Sequence, residues 1–344
     1  MSDTIDRLAA AAVLPQTTEG WLAGTESRPY RAPTLMEPSV AVLVPCLNEE
    51  ATIAKVVTDF RAALPHATIY VYDNNSTDRT LLEARAAGAV VRQEALQGKG
   101  HVVRRMFADV DADAFVLVDG DDTYDAAAAP IMLRMLMEQR LDMVSAARIG
   151  GAKEAYRPGH QLGNTILTGM VRLVFGDGIT DMLSGYRVFS RRFVKTFPAL
   201  AARFETETEL TVHALALNMP MREVSATYRG RPAGSQSKLS TIPDGLRILR
   251  TILMLIQQER PLQFFTVVAL LLLFLGCGLG APIIGVYLHT GLVPRLPSAV
   301  LATGVVLLAF LSLGCGLVLD AVSRGRKEMK RLAYLAIPSV RCKP

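Results

Sequence analysis

The sequence predicts an open α/β sheet followed by two membrane-crossing helices, and three observations carry that expectation. Between Ser39 and Val118, short Val-rich apolar runs alternate with stretches of helical spacing. The runs open into polar clusters: NEE at 48–50, DNNSTD at 73–78 and DGDD at 119–122. Residues 263–288 and 298–319 contain no charged side chain at all.

Residues 1–37, rich in Ala, Thr, Glu and Pro, are expected to form a flexible leader ahead of a sheet domain spanning 38–240. SVAVLVP (39–45) has the continuous apolar character of a strand buried on both faces. Helical spacing over 49–64 leads to TIYVY (68–72), the second strand. A helix over 78–88 closes on Gly88, the third strand occupies 89–92, and a helix over 98–110 precedes AFVLV (114–118). Strands separated by helices form a parallel sheet through right-handed crossovers. Ligands of such sheets bind beyond the carboxyl ends of the strands, where the polar clusters fall.

Beyond Met143 the pattern is less regular. Residues 161–175 and 242–259 read as amphipathic helices, and the second is expected to lie at a membrane interface over 241–262. Each uncharged stretch exceeds the ~20 residues that cross a hydrocarbon core, which makes 263–322 a transmembrane hairpin. Arg324, Arg326, Lys327, Lys330 and Arg331 follow it in a basic tail over 323–344. The positive-inside rule puts that tail, and therefore the sheet domain, in the cytoplasm, with a bacterial inner membrane as the expected setting. The opening MSDTIDRLAAAAVLP lacks the pattern of a signal peptide, and a net charge of +5 suits an anionic leaflet. The four cysteines and five histidines show no metal-ligand, redox or triad spacing. No nucleic-acid partner is expected, and a homo-oligomer is left open.

The densest chemistry lies in VLVDGDDTYD, where Asp119, Asp121, Asp122 and Asp125 crowd a strand end. Such carboxylates form either a solvated acidic turn or a site for a hard cation. A D-x-D pair can hold Mg²⁺ or Mn²⁺ against a diphosphate. In YDNNSTDRT, Asp73 can accept hydrogen bonds from a nucleobase or ribose, whereas Asn74, Asn75, Ser76 and Thr77 suit a capped turn. QGKG (97–100) offers backbone N–H groups and the Lys99 ammonium to a phosphate without being a Walker A loop. Among Arg148, Arg157, Arg172, Arg187, Arg229, Arg231 and Lys238, Arg148 and the RGRPAGSQSK group stand out as candidate phosphate readers.

Taken together, these segments resemble the inverting glycosyltransferase family 2, whose GT-A fold is a Rossmann-like open sheet. They are most similar to its polyprenyl-phosphate branch, which includes dolichyl-phosphate mannose synthases. VPCLNEE, YDNNSTDRT, QGKGHVVRRMF, VDGDDTYD, SAARIG, TDMLSGYRVFSRR and RPAGSQSKL match its motifs in order over about residues 40–240. The resemblance implies that Pro45, Asn48 or Glu49, and Asp73 line a nucleotide pocket, with Lys99 near the phosphates. It implies that Asp119 and Asp121 hold the ribose–diphosphate and metal, and that Arg148 meets the acceptor phosphate. Arg231, Ser237 and Lys238 would close over the diphosphate. Asp121, Arg148, Arg231 and Lys238 are thus the catalytic candidates. Three positions depart from the family pattern: Asn74 replaces an Asp, Thr123 stands where Gln is common, and His160, four residues before Asn164, stands where many relatives carry Arg. Acceptor-phosphate binding would then use Arg157 or a protonated His160 beside Asn164.

The implied reaction moves a sugar from a nucleotide-sugar, UDP-linked by analogy with bacterial relatives, onto a polyprenyl phosphate in membrane lipid. GDP-mannose is the alternative donor. A polysaccharide synthase of the same fold and a non-catalytic membrane scaffold are the rival readings. The synthases' Q-x-x-R-W signature has no counterpart here, where the single Trp is Trp21. A dianionic acceptor phosphate needs no general base. Glu205, Glu207 and Glu209 could supply one, but also fit an acid-rich helix start, with Glu209 matching the family best.

Overall fold

The computed structural model describes residues 38–149, 160–176, 178–203, 205–232 and 241–339. Among them a seven-stranded sheet runs in the order β3-β2-β1-β4-β6-β5-β7. β1 (Val40–Cys46), β2 (Thr68–Asp73), β3 (Val90–Gln93) and β4 (Ala114–Leu117) are parallel, within one or two residues of the sequence expectation. The helices between them are α1 (Ile53–Ala63), α2 (Thr80–Ala86) and α3 (Lys99–Asp109). α1 shows why the pattern reads clearly: its buried Ile53, Val56, Val57 and Phe60 recur at helical spacing and cover the sheet.

After α4 (Ala128–Glu138) the sheet becomes mixed. β5 (Met143–Ile149) pairs in parallel with β7 (Met221–Thr227), and β6 (Arg187–Ser190) lies antiparallel between β4 and β5. The antiparallel insertion has a functional effect. The segment that enters β6, residues 181–186, reaches the same sheet edge as the carboxyl ends of β4 and β5.

Two apolar clusters fill the two faces of the sheet. α1, α2 and α4 cover one. The other lies under α3, α5 (His160–Phe175), α6 (Arg191–Thr196), α7 (Thr206–Ala216) and α8 (Thr241–Glu259). In that second core Phe189 and Phe193 stack at 4.6 Å, and the His213 ring meets Phe193 and Phe197 edge-on at 5.3 and 5.5 Å.

α9 (Pro261–Thr290) and α10 (Leu296–Leu335) form an antiparallel pair, each long and apolar enough to cross a bilayer. Only 11% of each apolar window is buried, so these are not core helices of the sheet domain. They meet along a stripe of small residues in which Ala302, Ala309, Gly316 and Ser323 recur every seven positions. A Cβ on Gly316 would lie 2.8 Å from Phe265 Cβ, and one on Gly276 would lie 2.6 Å from Val306 Cγ2. Glycine therefore sets how closely the helices approach.

α8 buries Ile248, Ile252 and Ile256 in the domain and exposes Leu246, Leu253 and Met254. Residues 323–335, expected as a basic tail, continue α10 and dock on the domain. Lys327 Nζ and Arg326 Nη2 donate to the carbonyls of Glu259 and Gln258, where the α8 dipole ends. Arg331 donates to Leu217 O at 3.1 Å, and the Tyr334 hydroxyl to Asp142 at 2.8 Å. Arg192 lies over the Tyr334 ring at 4.6 Å and pairs with the same carboxylate.

Burial, reinforced by the Lys330 charge, pushes the His213 imidazole down from 6.5 to about 3. The unfolded chain then binds a proton between those values that the folded chain refuses. Stability is therefore retained above pH 6.5 and lost as pH falls below it, by up to about 1.4 kcal/mol per pH unit. Thermal melting of wild type and His213→Leu between pH 7 and pH 4.5 is expected to show a shallower decline in the variant. Parallel curves would assign the acid sensitivity to other groups.

Candidate active site

A cavity of about 290 Å³ opens at the carboxyl edge of the sheet. Its walls come from the segments after β1, β2 and β4, the start of α3, the end of β5, the start of α7 and the segment after β7. Pro45, Glu49, Lys99, Asp119, Asp121, Arg148 and Arg231 all line it.

The acidic cluster divides in two. Asp122, in a left-handed conformation (φ 56°), turns out to Lys55 at 2.8 Å, and Asp125 pairs with Arg229 at 3.2 Å. Asp119 and Asp121 face the cavity. Asp121 is 4% exposed, takes the Thr123 hydroxyl at 2.6 Å on one oxygen and pairs with Arg231 at 2.6 Å through the other. Thr123, where Gln is common in the family motif, thus aims the carboxylate. Burial, then the negative charge of Asp119, raises the Asp121 pKa above the usual carboxylate range.

Asp119 pairs with Lys99, which also pairs with Glu207. Burial works against the Lys99 charge, but the Asp119 and Glu207 carboxylates outweigh it and raise the ammonium's pKa. Gly185 presses against this group: a Cβ there would fall 2.1 Å from Asp119 Oδ2, so only glycine lets the entry to β6 close on the carboxylate.

Arg148 grips Asp181 with both arms of its fork, Nε at 2.6 Å and Nη2 at 2.8 Å, and lies 5.5 Å over the Tyr228 ring. Asn164 on α5 donates to the same carboxylate at 3.1 Å. The structure thus brings Arg148 and Asn164 together through Asp181, a residue of the TDMLSGYRVFSRR segment that is not among the expected site residues.

Asp73, expected in the nucleotide pocket, is fully buried and is not among the residues that line the cavity. Its Oδ2 accepts the Ser76 backbone N–H at 3.1 Å, and its Oδ1 is enclosed without a partner among the described residues. The neighbouring Asn74 lines the cavity instead. Its amide donates to the Glu94 and Leu96 carbonyls at 2.9 and 2.8 Å, and its oxygen accepts the Gly98 N–H at 2.6 Å. An amide both donates and accepts, so Asn74 ties β2 to the loop that presents Lys99; a carboxylate could not.

Of the pair Asn48 and Glu49, Glu49 faces the cavity. Asn48, at φ 49°, donates its backbone N–H to Ser76 Oγ and accepts the Thr77 N–H on Oδ1, both at 2.8 Å. The three acids of RFETETEL separate by role. Glu209 receives the Leu200 and Ala201 N–H groups, and Glu205 the Arg203 N–H and the Arg247 guanidinium. Glu207 lines the cavity. Arg157, Ser237, Lys238 and the side chain of His160 lie outside the described residues.

Among the described residues no three His, Cys, Asp or Glu side chains come together as a self-sufficient metal cage. Two facing carboxylates, one with its pKa raised by burial and then by the other, fit a cation whose remaining ligands are phosphate oxygens.

Comparison with known proteins gives a consistent picture. The model of the family described as "Glycosyl transferase family 2" matches residues 41–197. Glycosyltransferase AglJ of Haloferax volcanii is 32% identical over 304 residues, covering 86% of this chain and 98% of the relative. A dolichyl-phosphate hexose transferase of the same organism is 27% identical over 221 residues, 64% of this chain and 95% of that one. Glucosyl-3-phosphoglycerate synthase of Mycobacterium tuberculosis, crystallised with Mn²⁺, UDP-glucose and phosphoglyceric acid, superposes with a TM-score of 0.51 at 20% identity. That match covers 64% of this chain and 79% of the synthase. The same synthase has also been crystallised with Mg²⁺ and uridine diphosphate. The sheet domain accordingly has a GT-A-like fold.

Replacing Asn74 by Asp removes two donors and sets a carboxylate against two carbonyls. Asn74→Asp is expected to cost about 1–3 kcal/mol in stability and to speed amide hydrogen exchange across residues 94–98. Unchanged exchange there would show that the loop is held by other contacts.

Proposed function

The chain belongs to glycosyltransferase family 2, and from that premise we propose that it transfers a sugar from a nucleotide-sugar to a membrane polyprenyl phosphate with inversion. The observation that carries this reading is one cavity where Asp119 and Asp121 are held by Lys99 and Arg231, on a domain continuous with an exposed apolar hairpin. The relative named a dolichyl-phosphate hexose transferase supports the acceptor class. A UDP-linked donor follows the family resemblance.

The hairpin spans the bilayer in this reading. The exposed apolar face of α8 lies along the cytoplasmic interface, with the basic end of α10 on the same side. Glu49, Lys99 and Asp119 hold the nucleoside diphosphate portion of the donor. Arg148, supported by Asn164, takes the acceptor phosphate by exchanging Asp181 for phosphate oxygens of similar geometry. Arg231 exchanges Asp121 for the leaving diphosphate, and Ser237 and Lys238 close over it. Asp119 and Asp121 would hold Mg²⁺ or Mn²⁺, which supplies neutralisation of the departing charge.

A phosphate monoester has its second pKa at about 6, so it attacks the anomeric carbon as a dianion without a general base. Rate enhancement then comes from positioning and from stabilising the diphosphate.

Purified protein incubated with undecaprenyl phosphate, Mg²⁺ or Mn²⁺ and a panel of UDP- and GDP-sugars is expected to give one glycosyl-phosphoryl-lipid species by mass spectrometry. Long polymer would favour a synthase, and absence of donor binding a scaffold. Chelation is expected to abolish turnover, and Asp121→Asn to lower kcat by about 10²-fold or more. Full turnover in the chelated enzyme would remove the metal assignment.

A further inference from the structure

Glu207 is the cavity carboxylate for which the proposed chemistry has no task. It stands in the first turn of α7 with its side chain 7% exposed. Oε1 accepts Lys99 Nζ, while Oε2 is enclosed and receives no hydrogen bond from the described residues. Buried carboxylate oxygens seldom lack a donor, and each one that does asks for an explanation. The nearby cation gives none: the Arg187 guanidinium is committed to the Ser184 and Met182 carbonyls and the Thr211 hydroxyl.

The surroundings restrict what could fill the vacancy in hydrogen bonding. Lys99 joins Glu207 to Asp119, so two carboxylates share one ammonium at this wall. A phosphate oxygen at Glu207 Oε2 would meet a like charge. A neutral hydroxyl, donating its proton, would not. A charged acceptor buried beside a cavity is also the arrangement that rejects analogues lacking the matching hydroxyl, because the unpaired carboxylate is then left desolvated.

We propose that the Glu207 carboxylate, turning so that Oε2 meets the cavity, accepts a hydrogen bond from a hydroxyl of the bound donor, on its hexose or its ribose, and thereby sets donor selectivity. This rests on the reading of the cavity as a nucleotide-sugar site. Glu207 is a specificity residue in this account, and Lys99 holds its carboxylate in place.

The test is a variant-by-analogue cycle on the full chain in detergent. Titration calorimetry measures UDP, 2′-deoxy-UDP, UDP-glucose and the monodeoxyglucosyl analogues of UDP-glucose on wild type and Glu207→Gln. One missing hydroxyl is expected to weaken wild-type binding about tenfold or more, and to weaken the variant less than about twofold. If that hydroxyl is on the hexose, UDP alone binds wild type and variant alike; if it is on the ribose, UDP is weakened with the donor.

Equal losses in both proteins for every analogue would overturn the proposal and leave Glu207 as a support for Lys99. Should Glu207→Gln fail to fold, Glu207→Asp keeps the charge, withdraws the carboxylate by one methylene and is read in the same cycle. Wild type that binds neither UDP, UDP-glucose nor any other donor of the panel removes the nucleotide-sugar reading itself, and this inference with it. Wild type that binds donor but makes no lipid product faults only the acceptor.

Discussion

The organisation of this protein depends on keeping several carboxylates close together at one edge of a sheet. Asp119, Asp121, Asp181 and Glu207 all lie at the cavity or its immediate wall; Lys99 pairs with both Asp119 and Glu207, Arg231 with Asp121, and Arg148 with Asp181. Losing one member of such a pair leaves an uncompensated charge in a poorly solvated place. The pairs therefore act as fasteners between α3, α7, β5 and the segments before β6 and after β7. Arg187 extends the scheme inward. Fully buried, it donates to the Met182 and Ser184 carbonyls, so its charge fixes the loop that carries Asp181 and lays Gly185 on Asp119.

The same feature explains what could be read from sequence. β1, β2 and β4 are continuous apolar runs because both their faces are covered, and their polar ends mark the cavity edge by chain order alone. The two apolar helices are equally plain. β6 is not: it has four residues, begins with a buried Arg, and gains its place only by pairing between β4 and β5. The roles of acidic residues were the least legible. Lys99 and Glu207 are 108 positions apart, and nothing local distinguishes Glu207 from Glu205 or Glu209. Asp73 is buried at the end of β2, while the next residue, Asn74, lines the cavity. A motif match fixes the segment, but not which neighbour meets the cavity.

Several of the polar segments serve to organise loops. Asn48 and Glu50 bind the turn that precedes α2, Thr123 aims Asp121, and Glu209 holds the Leu200 and Ala201 N–H groups in the segment whose Ala202 carbonyl accepts the Gly100 N–H of α3. Gly100 meets that segment so closely that a Cβ would lie 2.1 Å from the Ala201 carbonyl oxygen. The cavity wall is thus built from backbone held by side chains, with the ionisable groups mounted on it.

α10 is one uninterrupted helix of 40 residues, apolar at its start and basic at its end, where it grips the ends of α7 and α8 and the beginning of β5. An unbroken helix transmits rotation as faithfully as position. One residue inserted between the small-residue stripe and Lys327 would turn the gripping face by about 100°. Seven would restore its facing but lengthen the shaft by about 10 Å. The helical phase of this rod therefore sets how the hairpin meets the sheet domain, and any exchange of hairpins between such proteins has to preserve it residue for residue.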